Sequence, residues 1–283
     1  MPNQQSSPAY QPAYQAGKQT GQSTGQARAG VVLVGVMLGW LLSGVMGLRA
    51  EETAETAAEI VRDSLNQVKF ALIIDDVGNH RQDEQALSLP GPLTIAILPH
   101  TPHSKRLAQQ AQQRDLEVLI HLPMQALSGK ALGPGGVTLT QSETELRTAT
   151  REAIAAVPFA VGMNNHMGSA FTAEAMPLRW VLEELKTAQL FFLDSRTTAA
   201  TRAEAIALEL QLPYLRRHVF LDNEADNATA IRQQFRTAVK YAQQHGEVIL
   251  IGHPYPTTLR VLAEELPKLK RLGIEQVKAS ALL

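Results

Sequence analysis

From residue 68 onward, short apolar runs rich in β-branched residues alternate with helical segments, and nearly every run ends on a polar residue. The first of them, Phe70-Ala71-Leu72-Ile73-Ile74, has the continuous hydrophobicity of a strand buried on both faces, as in parallel sheets. It ends on Asp75-Asp76-Val77-Gly78. Further runs follow at 93–98, 117–121, 160–163, 190–193, 215–221 and 248–252, with a last short one at Gln276-Val277. Such a rhythm predicts a parallel α/β domain, either a closed barrel or a doubly wound open sheet. The polar residues decide between them. Asp75, Asp76, His121, Asn164, Asn165, His166, Asp194, Asp222 and His253 all fall at C-terminal strand ends. In a (β/α) barrel those ends converge on one mouth, whereas an open sheet spreads them along an edge.

Local signals place the helices between the runs. Ser104 is a candidate cap for the helix after the second run. Ser142 with Glu145, and Thr201 with Glu204, have the spacing of capping boxes. Asp226 is the expected cap of a long helix that ends at His245-Gly246, with glycine just past its end.

Before residue 68 the composition changes. Residues 1–28 are rich in Gln, Ser, Gly, Ala and Pro, with Lys18 and Arg28 as their only charges, and read as a disordered segment. Residues 29–48 carry no charge, and about 20 apolar residues suffice for a helix to cross a bilayer. The stretch therefore predicts a transmembrane anchor. Leu48-Arg49-Ala50 fits a signal-cleavage site poorly, so an uncleaved anchor is expected, with a secreted or periplasmic product after cleavage as the alternative. The basic residues precede the segment, and Glu51, Glu52, Glu55 and Glu59 follow it. That places the N-terminus in the cytoplasm and the domain in the periplasm, on the inner membrane. Gly35, Gly39, Ser43 and Gly47 recur every fourth residue, which leaves two readings: a weak homodimer face, or the ordinary glycine content of membrane helices. Residues 49–67 read as an Ala- and Glu-rich stalk, and 68–283 as the folded domain.

A net charge of -1 argues against a nucleic-acid binder, which would carry a basic surface. The chain has no cysteine, so disulfides, thiolate metal sites and cysteine nucleophiles are excluded. Neither a phosphate-binding glycine loop nor a G-x-S-x-G elbow is present. A catalytic metal would need His, Asp or Glu ligands, and the usual open zinc site has three. Asp76, His121 and His166 offer that number from three strand ends, with Asp75 as the base and His253 as the acid. On the dipeptide alone, Asp75-Asp76 reads equally as a solvated acid beside a helix cap. His80, His100 and His103 lie in loops near the mouth and stay open as ligands, whereas His218 and His245 read as structural. Asn164, Asn165 and Asp194 are candidate substrate-binding groups; Asp222 reads as a loop cap.

Ile73-Ile74-Asp75-Asp76-Val77-Gly78, His121-Leu122-Pro123-Met124, Gly162-Met163-Asn164-Asn165-His166-Met167-Gly168-Ser169, Phe192-Leu193-Asp194-Ser195 and Gly252-His253-Pro254 together resemble the divergent polysaccharide deacetylase family, a remote branch of the NodB-type carbohydrate esterases. The resemblance implies a distorted (β/α) barrel of about seven strands. It also implies a general base at Asp75, a divalent-metal ligand at Asp76 and a general acid at His253. The classical enzymes place two histidines four apart on one strand end, whereas here Gln125 follows His121, so the second imidazole is assigned to His166. Two functions follow: a metal-dependent hydrolase, zinc being the expected metal, that removes N-acetyl groups from an envelope or extracellular glycan, or a membrane-tethered, non-catalytic carbohydrate-binding module.

Overall fold

The computed structural model describes residues 67–283. The expected disordered segment, anchor and nearly all of the stalk lie outside them. Among the described residues, no helix is long and apolar enough to cross a membrane.

Nine strands of the described residues form one all-parallel sheet: β1 (Val68–Val77), β2 (Thr94–Ile97), β3 (Glu117–Met124), β4 (Ala160–Met167), β5 (Phe191–Asp194), β6 (Tyr214–Arg216), β7 (Val219–Phe220), β8 (Glu247–Gly252) and β9 (Ile274–Val277). The spatial order is β6-β5-β4-β3-β2-β1-β8-β7, and β9 pairs with β1. Helices α1 (Ser104–Gln113), α2 (Glu143–Ala156), α3 (Ala175–Thr187), α4 (Ala203–Leu210), α5 (Ala228–His245) and α6 (Pro256–Glu265) alternate with the strands. A 3₁₀ segment at Arg81–Ser88 takes the helix position between β1 and β2.

The alternation of side chains along each strand sorts the core into two shells. Phe70, Leu72, Ile74, Ile120, Leu122 and Leu250 belong to the larger cluster shared with the helices. Ala71, Ile73, Leu119, Leu193, Ile249 and Ile251 form a separate cluster inside the curved sheet. The interior is narrow. Gly162 lacks a side chain because a Cβ there would stand 2.8 Å from the Phe191 ring. At the bottom, the C-terminal 3₁₀ turn Ala279–Leu282 acts as a plug. The N–H of Ala279 donates to Thr94 Oγ1 at 3.0 Å, and that hydroxyl donates to the buried Glu117 carboxylate at 2.9 Å.

The distortion of the barrel lies at one seam. Sequence predicts a single strand over 215–221, but the structure splits it: β6 pairs only with β5, and β7 only with β8. Between them the Arg217 N–H donates to Asp194 O and the His218 N–H to Ile249 O, each at 2.9 Å, so the chain hands its bonds from one side of the gap to the other. The His218 ring supplies what the backbone cannot. Its Nδ1 accepts the Ile249 N–H at 2.9 Å. The barrel is thus closed covalently and by single bonds rather than by a continuous ladder.

Three expected caps are corrected. At α1 the residue in the cap position is His103, while Ser104 Oγ donates to Thr101 O at 2.7 Å and so closes the preceding turn. At α4 Arg202 occupies the cap position; Thr201 Oγ1 accepts the Ala203 N–H, and Glu204 faces Arg216. At α5 the cap is Asn227 rather than Asp226, its Oδ1 accepting from the N–H groups of Thr229 and Ala230 at 3.1 Å. The Ser142–Glu145 capping box and the left-handed Gly246 after α5 form as their sequences predict.

Candidate metal centre and active site

Strand parity sets the upper layer of the barrel. Asp75 follows Ala71 and Ile73 on the inward face of β1, His121 follows Leu119 on β3, and Asn164 and His166 follow Gly162 on β4. His253, just past β8, follows Ile249 and Ile251. Ordinary alternation would turn Asp76 away. Instead, β1 loses its register with β2 between Ile74 and Val77, and Asp76 adopts a left-handed φ of 59°, a conformation that aspartate tolerates better than most residues. Both acids therefore reach the same ring: His121 Nε2 is 3.1 Å from Asp76 Oδ1 and 3.7 Å from Asp75 Oδ2. Asp83, buried in the 3₁₀ segment that follows, holds this turn by accepting the N–H groups of Gly78 and His80 at 2.9 Å.

His166 arrives from the neighbouring strand, where it pairs with Pro123, one inward position above the His121–Asn164 pair. Its Nδ1 lies 2.7 Å from Asp76 Oδ1. One ligand atom each from Asp76, His121 and His166 fall within 4.8 Å of one another. Asp76 Oδ1 is buried and, despite the two close imidazole nitrogens, has no hydrogen-bond partner of acceptable geometry. A buried carboxylate oxygen with no hydrogen-bond partner of acceptable geometry, faced by two imidazole nitrogens, suits a cation. Two imidazoles and one carboxylate also match the donor set of an open three-ligand divalent site. His80, His100 and His103 join no such group among the described residues. Gln125, at the position of the classical second histidine, is turned elsewhere: its Oε1 accepts the Leu139 N–H at 2.7 Å and pins the following loop.

The electrostatics set the two adjacent acids apart. Burial pushes the Asp75 carboxyl above its usual range, only partly offset by His121, His253 and Asn164. Burial acts on Asp76 in the same direction, but His121 and His166 outweigh it and hold that carboxyl well below the usual range. One acid is thus suited to take a proton and its neighbour to stay ionised, the separation that acid–base sites use. His121 is raised in spite of its burial, through Asp75 and Asp76.

On the far side of Asp76, His253 Nε2 lies 3.8 Å from Asp76 Oδ2. Its Nδ1 donates to Asp222 Oδ1 at 2.9 Å. Burial lowers this imidazole, but Asp222 overrides it and pushes the pKa up to about 9. The sequence predicts a loop cap at Asp222, whereas its two oxygens serve His253 and Thr258. The available signal was its position at the end of the run preceding the one that carries His253.

The three residues expected to bind substrate are buried and hydrogen-bonded within the protein. Asn164 Oδ1 accepts from His121 Nδ1 and its Nδ2 donates to Asp75 Oδ1, both at 2.8 Å. Asn165 Nδ2 donates to Met167 O at 2.6 Å, shaping the left-handed turn after His166, and its Oδ1 accepts the Ser195 N–H. Asp194 is fully buried and accepts from the Arg196 N–H and the Tyr214 hydroxyl.

Residues 72–283 match the model of the divergent polysaccharide deacetylase family. The chain is 39% identical over 207 residues to an uncharacterized protein of Haemophilus influenzae, covering 73% of this chain and 74% of that one. It is 40% identical over 216 residues to the uncharacterized protein YibQ of Escherichia coli, covering 76% and 67%. The crystal structure of an uncharacterized protein from Agrobacterium tumefaciens shares the fold, with a TM-score of 0.74 at 21% identity over 77% of this chain and 89% of that one. With the motifs in order around one barrel mouth and the family model spanning the whole domain, the chain belongs to the divergent polysaccharide deacetylases.

Proposed function

We propose that the protein is a metal-dependent hydrolase that removes N-acetyl groups from an envelope or extracellular glycan. The observation that carries this reading is the placement of the raised Asp75 and the Asp222-bound His253 around the Asp76–His121–His166 group. Asp76, His121 and His166 would hold a divalent cation, zinc in our assignment, which would supply Lewis acidity toward the acyl oxygen of the acetamide. Asp75, buried and raised, accepts the proton of the attacking water. His253, charged through Asp222, presents Nε2 as the donor to the departing amine, which leaves poorly unless protonated. Bond and proton balance are complete: water adds to the acyl carbon, the C–N bond breaks, and acetate and a free amino sugar are released.

Location forms part of the same proposal. Residues 29–48 would anchor the chain in the inner membrane, with the N-terminus cytoplasmic and the barrel among periplasmic glycans. A reporter active only outside the inner membrane, fused after residue 60, is expected to give signal, and a silent fusion beside an active cytoplasmic one overturns the topology.

The activity is tested by following acetate release from N-acetylated oligosaccharides by the full-length chain. Release that stops on chelation and returns with zinc is the expected result. Failure to release acetate with one zinc bound per chain would replace the hydrolase with a carbohydrate-binding module of the same fold.

A further inference from the structure

We infer that Asn164 is a positioning residue that fixes, through one buried amide, both the tautomer of the metal ligand His121 and the orientation of the base Asp75. It is fully buried, at 0% exposure, and its two amide atoms face opposite members of the site. Nδ2 donates to Asp75 Oδ1 at 2.8 Å and approaches Ser195 Oγ at 3.3 Å; Oδ1 accepts from His121 Nδ1 at 2.8 Å.

The donor and acceptor inventory leaves one arrangement. An ionised carboxylate only accepts, so the amide NH₂ must face Asp75 whenever Asp75 is in its base form. The amide oxygen then faces His121, and an oxygen only accepts. His121 must therefore carry its proton on Nδ1, which leaves the Nε2 lone pair aimed at the point it shares with Asp76 and His166. Histidine ligands take their tautomer and ring orientation from such a partner. Here the partner is a neutral amide that also holds the base, so ligand and base are set by one side chain. The backbone enforces the coupling, because Asn164 is the β4 residue in register with His121, and no rotation of a surface loop can undo it.

This inference rests on the metal-dependent reading above, and its test separates the two. Zinc titration of the metal-stripped, full-length chain is compared for wild type, Asn164→Leu and Asn164→Asp, alongside turnover. Leucine removes both bonds, and zinc affinity is expected to fall about 10- to 100-fold, the usual loss for a partner of a metal-bound histidine. Aspartate keeps the acceptor for His121 but places a second carboxylate against Asp75, so zinc affinity is expected to stay within about threefold while turnover falls roughly 100-fold or more. A merely structural role predicts instead that both variants lose thermal stability and that their folded fraction binds zinc as wild type does.

One measurement needs no variant. In nitrogen-15 spectra of the zinc-loaded wild type, His121 is expected to show a protonated Nδ1 and a metal-shifted Nε2. The opposite tautomer, or unchanged zinc affinity in Asn164→Leu, overturns the inference alone. A wild type that binds no divalent metal overturns the metal-dependent reading and the inference with it.

Discussion

Asp222 holds His253 by two bonds at once, accepting the ring Nδ1–H on one oxygen at 2.9 Å and the backbone N–H on the other at 2.8 Å. The second oxygen also accepts the Thr258 hydroxyl at 2.9 Å, so the carboxylate is itself fixed on α6. The imidazole is therefore both charged and aimed. In Asp222→Asn the amide must turn an NH₂ toward one of these donors. Turnover is expected to fall roughly 10²- to 10⁴-fold, the range that general acid–base catalysis contributes. Zinc content should stay at the wild-type value, because the bonds of Asp222 go to His253 and Thr258 and not to the three ligands. Equal turnover in this variant would reduce the Asp222–His253 pair to a clamp on the β8–α6 loop.

The neighbouring acids are expected to fail differently. Asp75→Asn should keep the fold and the metal while losing roughly 10²- to 10⁴-fold in turnover. Asp76→Asn should lose zinc affinity by more than about tenfold, and activity with it, because its Oδ1 lies between the two imidazoles. Metal analysis beside a turnover assay reads both. Retention in Asp76→Asn with loss in Asp75→Asn would exchange the two roles.

Stability at acid pH tests the seam of the barrel rather than its mouth. Burial, with Arg216 and His245 nearby, pushes the His218 imidazole down from 6.5 to about 4. A lowered histidine binds its proton more readily in the unfolded chain, so its contribution is full above about pH 6.5 and is lost as pH falls through about 4. Allowing for its partial exposure, the loss is roughly 1–2 kcal/mol. Urea unfolding at pH 7 and pH 4.5 measures it against His218→Asn, whose Oδ1 can keep the acceptor for Ile249 without titrating. Parallel pH dependence in the two proteins would show that His218 carries no such penalty.

Strands buried on both faces write themselves as apolar runs, and so the order of the strands and the polar residues at their ends were legible. His166 was legible for a related reason: it lies near the end of β4 at an inward position, beside the β3 strand that carries His121. What the sequence could not carry was direction within an ambiguous pair. Asp226 and Asn227 are equally good caps by type, and backbone geometry chose Asn227. Alternation alone would send Asp76 out of the mouth, and only its left-handed φ brings it beside Asp75. The run 215–221 looks like one strand because its residues suit one, yet its two halves bond to opposite edges of the sheet. Asn164 and Asn165 read as substrate groups because they are polar at a strand end; their burial and their bonds to Asp75, His121 and Ser195 depend on neighbouring strands and could not be read from the run itself.

X-ray absorption at the zinc edge of the zinc-loaded, full-length protein tests the central claim most directly. The account predicts one zinc per chain, a first shell of nitrogen and oxygen near 2.0–2.1 Å, and the outer-shell scattering of two imidazoles. Substitution of His166 by alanine should remove one imidazole from that pattern. A protein that holds no stoichiometric zinc, or a shell without two imidazoles, would contradict it.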